Sequence, residues 1–150
     1  MPGTSFLPVL RELAAAYQAF EAYSAAHIRR LELTPPQFDI IATLGNTAGM
    51  PLKELGEKTL ITKGTLTGVV DRLSDKNLVR RIASPSDGRS QIVQLTPQGE
   101  ALFSRVFPEH LEYMAQAFGE LSAQDLVSIE HTLNRLRSAF QAARSGMEQQ

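Results

Sequence analysis

No cysteine and no tryptophan occur in the 150 residues. The missing thiols exclude disulfides, thiolate metal sites and cysteine redox sensing. No charge of one sign dominates, since 15 Lys and Arg stand against 16 Asp and Glu for a net charge of −1, which argues against a non-specific packaging role on nucleic acid. No apolar run is long enough to span a bilayer, and Met1 to Ala26 is interrupted by Arg11, Glu12, Gln18 and Glu21, unlike a charged-then-apolar leader. The expectation is a cytoplasmic chain without a membrane partner. There is no Gly-x-Ser-x-Gly elbow, Walker loop or His-Glu-x-x-His helix, so neither an enzyme nor a cofactor is expected. A chain of 150 residues, 43% of them hydrophobic, has room for one core or for a small domain with a helical arm.

What is present concentrates between Pro51 and Glu100. Leu52 to Lys58 reads as a short amphipathic helix, and Thr59 to Thr62 as a turn whose last residue can cap a second helix. That helix, Lys63 to Lys76, places Leu66, Val69, Val70 and Leu73 at i, i+3, i+4 and i+7. At about 100° per residue the opposite side carries Gly64, Gly68, Asp71 and Asp75, flanked by Thr65, Thr67 and Arg72. A glycine costs an exposed helix about 1 kcal/mol against alanine. Two readings stay open: close approach of a partner backbone, or a frayed first turn at Gly64 and a neutral Gly68.

After Asn77, which can close a helix in the left-handed conformation, Leu78 to Ala83 reads as a strand with a basic middle. Gln91 to Leu95 alternates as a second strand, and Ser84 to Ser90 supplies the turn. Helix, turn, helix and hairpin in this order form a winged helix-turn-helix. Arg89 beside Asp87 suits an arginine steadied by a carboxylate and offered to a minor groove.

The stretch from Leu73 to Gly99, with Asn77-Leu78-Val79-Arg80-Arg81, Asp87-Gly88-Arg89 and Leu95-Thr96-Pro97-Gln98-Gly99, resembles the signature of the MarR family of bacterial transcriptional regulators. It departs from the family pattern at Asn77, where glycine is usual, and at Gly88, where a second arginine is common. Asparagine still permits the positive φ of the cap. The missing arginine lowers the wing's expected hold on phosphate. Gly64-Thr65-Leu66-Thr67 also resembles the recognition helix of the organic-peroxide-sensing branch, whose thiol chemistry cannot be carried over here.

The resemblance implies a mainly α fold with a small β-hairpin wing: a winged helix-turn-helix head at 34–96, and a dimerisation arm from helices at 5–33 and 97–145. Charge follows that division. From Leu52 to Gly99, eight basic residues against five acidic ones give +3, and the remaining seven basic and eleven acidic residues give −4. Positive charge is gathered in the reading unit.

The flanks carry long apolar stripes. Leu10, Leu13, Tyr17, Phe20, His27 or Ile28, and Leu31 line one helix, and Leu126, Ile129, Leu133, Leu136, Phe140 and Ala143 another, opened by Ser122 and Asp125 as a near capping box. A two-fold dimer would cover them, and an intramolecular three-helix core is the alternative. Thr96 and Pro97 start a further helix that Pro108 is expected to kink or break. Thr34-Pro35-Pro36-Gln37 caps the helix that carries Phe38, Ile41 and Leu44, and Gly45 to Gly49 is a loop.

The predicted partner is double-stranded DNA, bound by a homodimer with two recognition helices in successive major grooves about 10 bp apart, hence a pseudo-palindromic operator. Thr65 and Thr67 are candidates for base edges or phosphates, with Gly64 and Gly68 allowing approach. Arg72 is a candidate for guanine or phosphate, Lys63 and Lys76 for backbone charge, and Arg89, beside Asp87, for the minor groove. The family resemblance further implies repression and release by a small aromatic or phenolic effector between arm and head. Candidate ligand residues are Arg11, Tyr17, Tyr23, His27, Phe38 and Met50, although aromatics at helical spacing are most often core. Two alternatives remain: a metal-responsive regulator using His27, His110 and His131 with Glu109, Glu112 or Glu130, and a winged helix turned to protein interaction or architecture.

Overall fold

Ile40, Ile41 and Leu44 have no exposed surface, and the helices and strands of the head assemble around them. The computed structural model describes residues 2–149. After a 3-10 turn at Pro2–Thr4, α1 spans Leu7–Arg30 and α2 Pro35–Leu44. Strand β1 is Met50–Pro51, followed by α3 (Leu52–Lys58) and α4 (Lys63–Asp75). Strands β2 (Val79–Ala83) and β3 (Gln91–Leu95) precede α5 (Pro97–Ala117) and α6 (Ala123–Glu148). Residues up to Tyr113 form one unit, and Met114–Gln150 a second.

In the first unit, Thr34 accepts from the Gln37 backbone N–H while Gln37 accepts from that of Thr34, a reciprocal cap with Pro35 at the first helical position. Phe38, Ile41 and Leu44 of α2 face Leu55 of α3, Leu66, Val69, Val70 and Leu73 of α4, and Val106 of α5 in one apolar cluster. Ile28 brings the end of α1 into the same core. Gly45 lies where any β-carbon would strike the Phe103 ring, so α2 ends against α5 with no room for a side chain.

The sheet has three strands in the order β1-β3-β2, all antiparallel. The sequence announces only the hairpin, because β1 is two residues long and shows no alternation. Met50 pairs with Val93 and Pro51 with Ile92; proline is tolerated there because β1 is an edge. Asn77 adopts φ 59° just past the end of α4, closing that helix as its residue type suggests.

One local expectation fails, and of another the stronger form fails. Pro108 does not break its helix: α5 runs unbroken from Pro97 to Ala117. The ring forfeits one bond to the carbonyl of Ser104, an exposed residue, while buried Phe103, Val106 and His110 hold the helix on either side. Thr62 is the N-cap of α4 by position, but its hydroxyl donates to Thr65 Oγ1 at 3.1 Å and caps no helix N–H.

In the second unit, Ser122 and Asp125 form a complete capping box at the start of α6. None of the described residues of α6 is buried; Leu126, Ile129, Leu133 and Phe140 are exposed.

Candidate nucleic-acid interface

Helix α4 has two faces with different duties. Leu66, Val69, Val70 and Leu73 are at most 4% exposed and fix the helix to α2 and α3. Lys63, Gly64, Thr65, Thr67, Arg72 and Lys76 are exposed, and Gly68 is half-buried. A β-carbon built on Gly64 or Gly68 meets nothing within 4 Å. No internal packing therefore requires either glycine. Since Thr62 spends its side chain on Thr65, the positive end of the α4 dipole is left open, as an anion-accepting helix start needs.

The turn before α4 is fastened from α2. Asp39 Oδ2 accepts the Leu60 backbone N–H at 2.9 Å. Desolvation raises the Asp39 pKa above 3.8, and the bond from Leu60 partly opposes the rise. Between α3 and α4 lies a groove of about 350 Å³ lined by Leu52, Lys53, Gly56, Glu57, Lys63, Leu66 and Thr67.

A connection that the sequence did not announce joins helix to wing. Arg81 of β2 donates to Asp71 Oδ1 of α4 at 2.6 Å, with the Arg81 side chain 30% and the Asp71 side chain 57% exposed. Asp71 is thus not a bare negative charge on the open face. The sequence marked both residues but could not pair them across ten positions.

At the wing tip, Asp87 Oδ1 accepts the backbone N–H of Arg89 at 3.0 Å, and the Ser90 N–H donates to the Asp87 carbonyl at 3.1 Å. The carboxylate shapes the turn instead of steadying the guanidinium, since an Asp side chain reaches the amide two residues on more readily than a long flexible side chain. Among the described residues Arg89 makes no ion pair. Its side chain is exposed at the tip.

The six effector candidates separate. Tyr23, His27 and Phe38 converge: His27 and Tyr23 each stack on Tyr113, at 4.4 and 4.2 Å between ring centroids, and Phe38 tilts against His110 at 4.6 Å. Arg11 is exposed twelve residues before Tyr23, about 18 Å up α1 at the helical rise. Tyr17 is 44% exposed and pairs with Phe20, while Met50 is buried in the head core beside β3. His27 and His110 meet across 83 residues of sequence, but among the described residues no three of His, Cys, Asp or Glu are placed to share a metal ion. No helix among them is long and apolar enough to cross a membrane.

Residues 33–91 match the family model of the MarR family. The HTH-type transcriptional regulator MhqR of Bacillus subtilis (strain 168) is 32% identical over 124 residues, 83% of this chain and 86% of the relative. The homoprotocatechuate degradative operon repressor of Escherichia coli is 27% identical over 121 residues, 81% of this chain and 82% of the relative. The structure of BpsR from Bordetella bronchiseptica, whose DNA binding is described as regulated by 6-hydroxynicotinic acid, shares 29% identity at a TM-score of 0.76, covering 87% of this chain and 98% of that one.

Proposed function

This chain belongs to the MarR family of DNA-binding transcriptional regulators, and from that premise we propose that it is a homodimeric repressor of a pseudo-palindromic operator, released by a small aromatic or phenolic acid. The observation that carries the reading is the open face of α4: Lys63, Gly64, Thr65, Thr67, Gly68, Arg72 and Lys76 do no packing work visible in the fold. Thr65 and Thr67 face base edges, Arg72 a guanine or phosphate, and Lys63 and Lys76 the backbone. Arg89, on a turn shaped by Asp87, enters the flanking minor groove.

Dimerisation is supported by the apolar stripes of α1 and α6. Leu10, Tyr17 and Phe20 on α1, and Leu126, Ile129, Leu133 and Phe140 on α6, are 39–52% exposed in the single chain, a row of large apolar side chains on each helix that a partner copy would cover. In this assignment 5–33 and 97–145 form the arm and 34–96 the reading head. The effector class follows from the BpsR relative, and Tyr23, His27 and Phe38 are the candidates that the fold groups. An effector there would have to part an existing stack, and so would move α1 against α5.

Fluorescence anisotropy on DNA from immediately upstream of the coding region, against random DNA at several salt concentrations, tests the reading. Tight binding with a large preference for the upstream fragment is expected, stoichiometric at two chains per site. Equal binding to both DNAs would remove the operator claim, and monomers at binding concentrations would remove the dimer.

A further inference from the structure

Two buried imidazoles face each other where α1 and α5 lie side by side in the first unit. His27 is 7% and His110 6% exposed, and their Nδ1 atoms are 2.9 Å apart. Ser24 Oγ lies 3.2 Å from His110 Nε2, so both ring nitrogens of His110 are engaged. Around them stand Tyr23 from α1, Tyr113 from α5 and the apolar ring of Phe38 from α2. Tyr23 donates its hydroxyl proton to the Tyr113 carbonyl at 2.8 Å, and desolvation followed by the Tyr113 phenol raises its pKa above 10.0. Neither imidazole forms an ion pair with a carboxylate among the described residues.

Proton counting makes this pair a device. With both rings neutral, one Nδ1 carries hydrogen and donates to the lone pair of the other. In either tautomer a first added proton enters at an Nε2, on His27 or on His110 with the Ser24 hydroxyl turning to accept, and the Nδ1–H···Nδ1 bond survives. A second proton has only the accepting Nδ1 left. It replaces the bond with two N–H groups pointed at each other on two adjacent cations, with no carboxylate to compensate them. Burial penalises that state again. His110 shows the direction, its pKa lowered from 6.5 first by desolvation and then by the charge of His27.

We propose that the His27–His110 pair is a proton-operated latch between α1 and α5, closed at neutral pH and opened by acid, which makes this regulator a sensor of pH. The latch is placed to matter. His110 is one turn beyond Val106, the last α5 residue in the head core, and His27 adjoins Ile28, the α1 residue in that core. It therefore sets the spacing of the two helices where they leave the reading head. The effect on DNA rests on the dimer reading above, with α1 and α5 in the arm that joins the two heads; proton binding itself does not.

The test is operator affinity from pH 8.0 to 5.5 for the natural chain and His110→Gln. Histidine-ring NMR titrations of the DNA-free protein accompany it. For the natural chain, affinity holds above about pH 6.5 and then weakens by up to about tenfold per pH unit, the limit for one linked proton. His110→Gln loses that fall. In the free protein His110 titrates below its ordinary value, and His27→Gln brings it back towards that value. Identical pH profiles for the natural chain and His110→Gln, or a His110 titration that His27→Gln leaves unmoved, would overturn the latch. No specific DNA binding at any pH would instead remove the operator reading and leave the ring titrations to decide the latch. If circular dichroism shows His110→Gln unfolded, His27→Gln removes the second cation from the other side and serves the same comparison.

Discussion

Replacing Gly68 by alanine should move folding stability and DNA affinity in opposite directions. Gly68 lies in the interior of the 13-residue α4, and a β-carbon there meets nothing within 4 Å. The methyl therefore costs no clash in the free protein, while alanine restricts the unfolded chain and favours the helix by about 0.5–1 kcal/mol. For a chain of this size that gain corresponds to a melting temperature about 1–4 °C higher. At a tightly packed interface an added methyl costs about 1–3 kcal/mol, a reduction of roughly 5- to 150-fold in affinity at each site so crowded. Thermal melts of the free protein and anisotropy on the operator read the two quantities separately. A variant that is more stable and binds equally well would refute the reasoning, for it would show that the bare backbone at Gly68 serves no approach.

Other perturbations divide along the same lines. Arg89→Ala is expected to leave the melting temperature unchanged and to weaken operator binding by about 1–3 kcal/mol. It should also flatten the salt dependence by about 0.9 in log–log slope for every phosphate it ceases to neutralise; unchanged affinity would dismiss the role of the wing. Gly99→Ala should destabilise the fold by several kcal/mol, since its β-carbon would meet the Leu78 carbonyl oxygen, a backbone atom that cannot swing away; urea denaturation measures it. Arg81→Ala should change stability by less than about 1 kcal/mol, the pair being largely exposed. It should nevertheless weaken operator binding by leaving Asp71 uncompensated, and Asp71→Asn in the same background should restore part of the affinity. His110 should make the free protein less stable in acid. Its folded pKa lies below 6.5, so above 6.5 neither state takes the proton, whereas below it the unfolded chain does so first and stability falls. Melts of His110→Gln should lack that component.

Much of the head was legible because its signals are local. The bounds of α3 and β3 agree residue for residue with the sequence pattern, and Asn77 and Thr96, like Ser122 at the start of α6, do the capping their residue types suit. The failures share a cause. Thr62 is a cap by type, yet a neighbouring hydroxyl at Thr65 competes for it. Asp87 had two partners within reach, and the fixed backbone amide of Arg89 won over its mobile side chain. Pro108 breaks isolated helices, but buried neighbours on both sides outweigh one missing bond. What could not be read was long-range: the third strand, the Asp71–Arg81 bridge, and the two histidines that sit 83 residues apart and share no helical turn until the chain folds.

The short strand β1 has a further implication. Met50–Pro51 and Val79–Ala83 lie on either side of β3, so the segment from Leu52 to Leu78 leaves the sheet beside one strand and returns to it on the other flank of the same strand. The segment behaves as a cassette clipped into a frame at both ends. Provided that Leu55, Leu66, Val69, Val70 and Leu73 keep their place in the core, the outward residues of the cassette can be exchanged for those of a relative with the frame left as it is. The helix that carries the proposed DNA contacts is thereby replaceable without disturbing the parts that hold the protein together, a useful property for a lineage of DNA-binding regulators and for anyone who would assign a new operator by design.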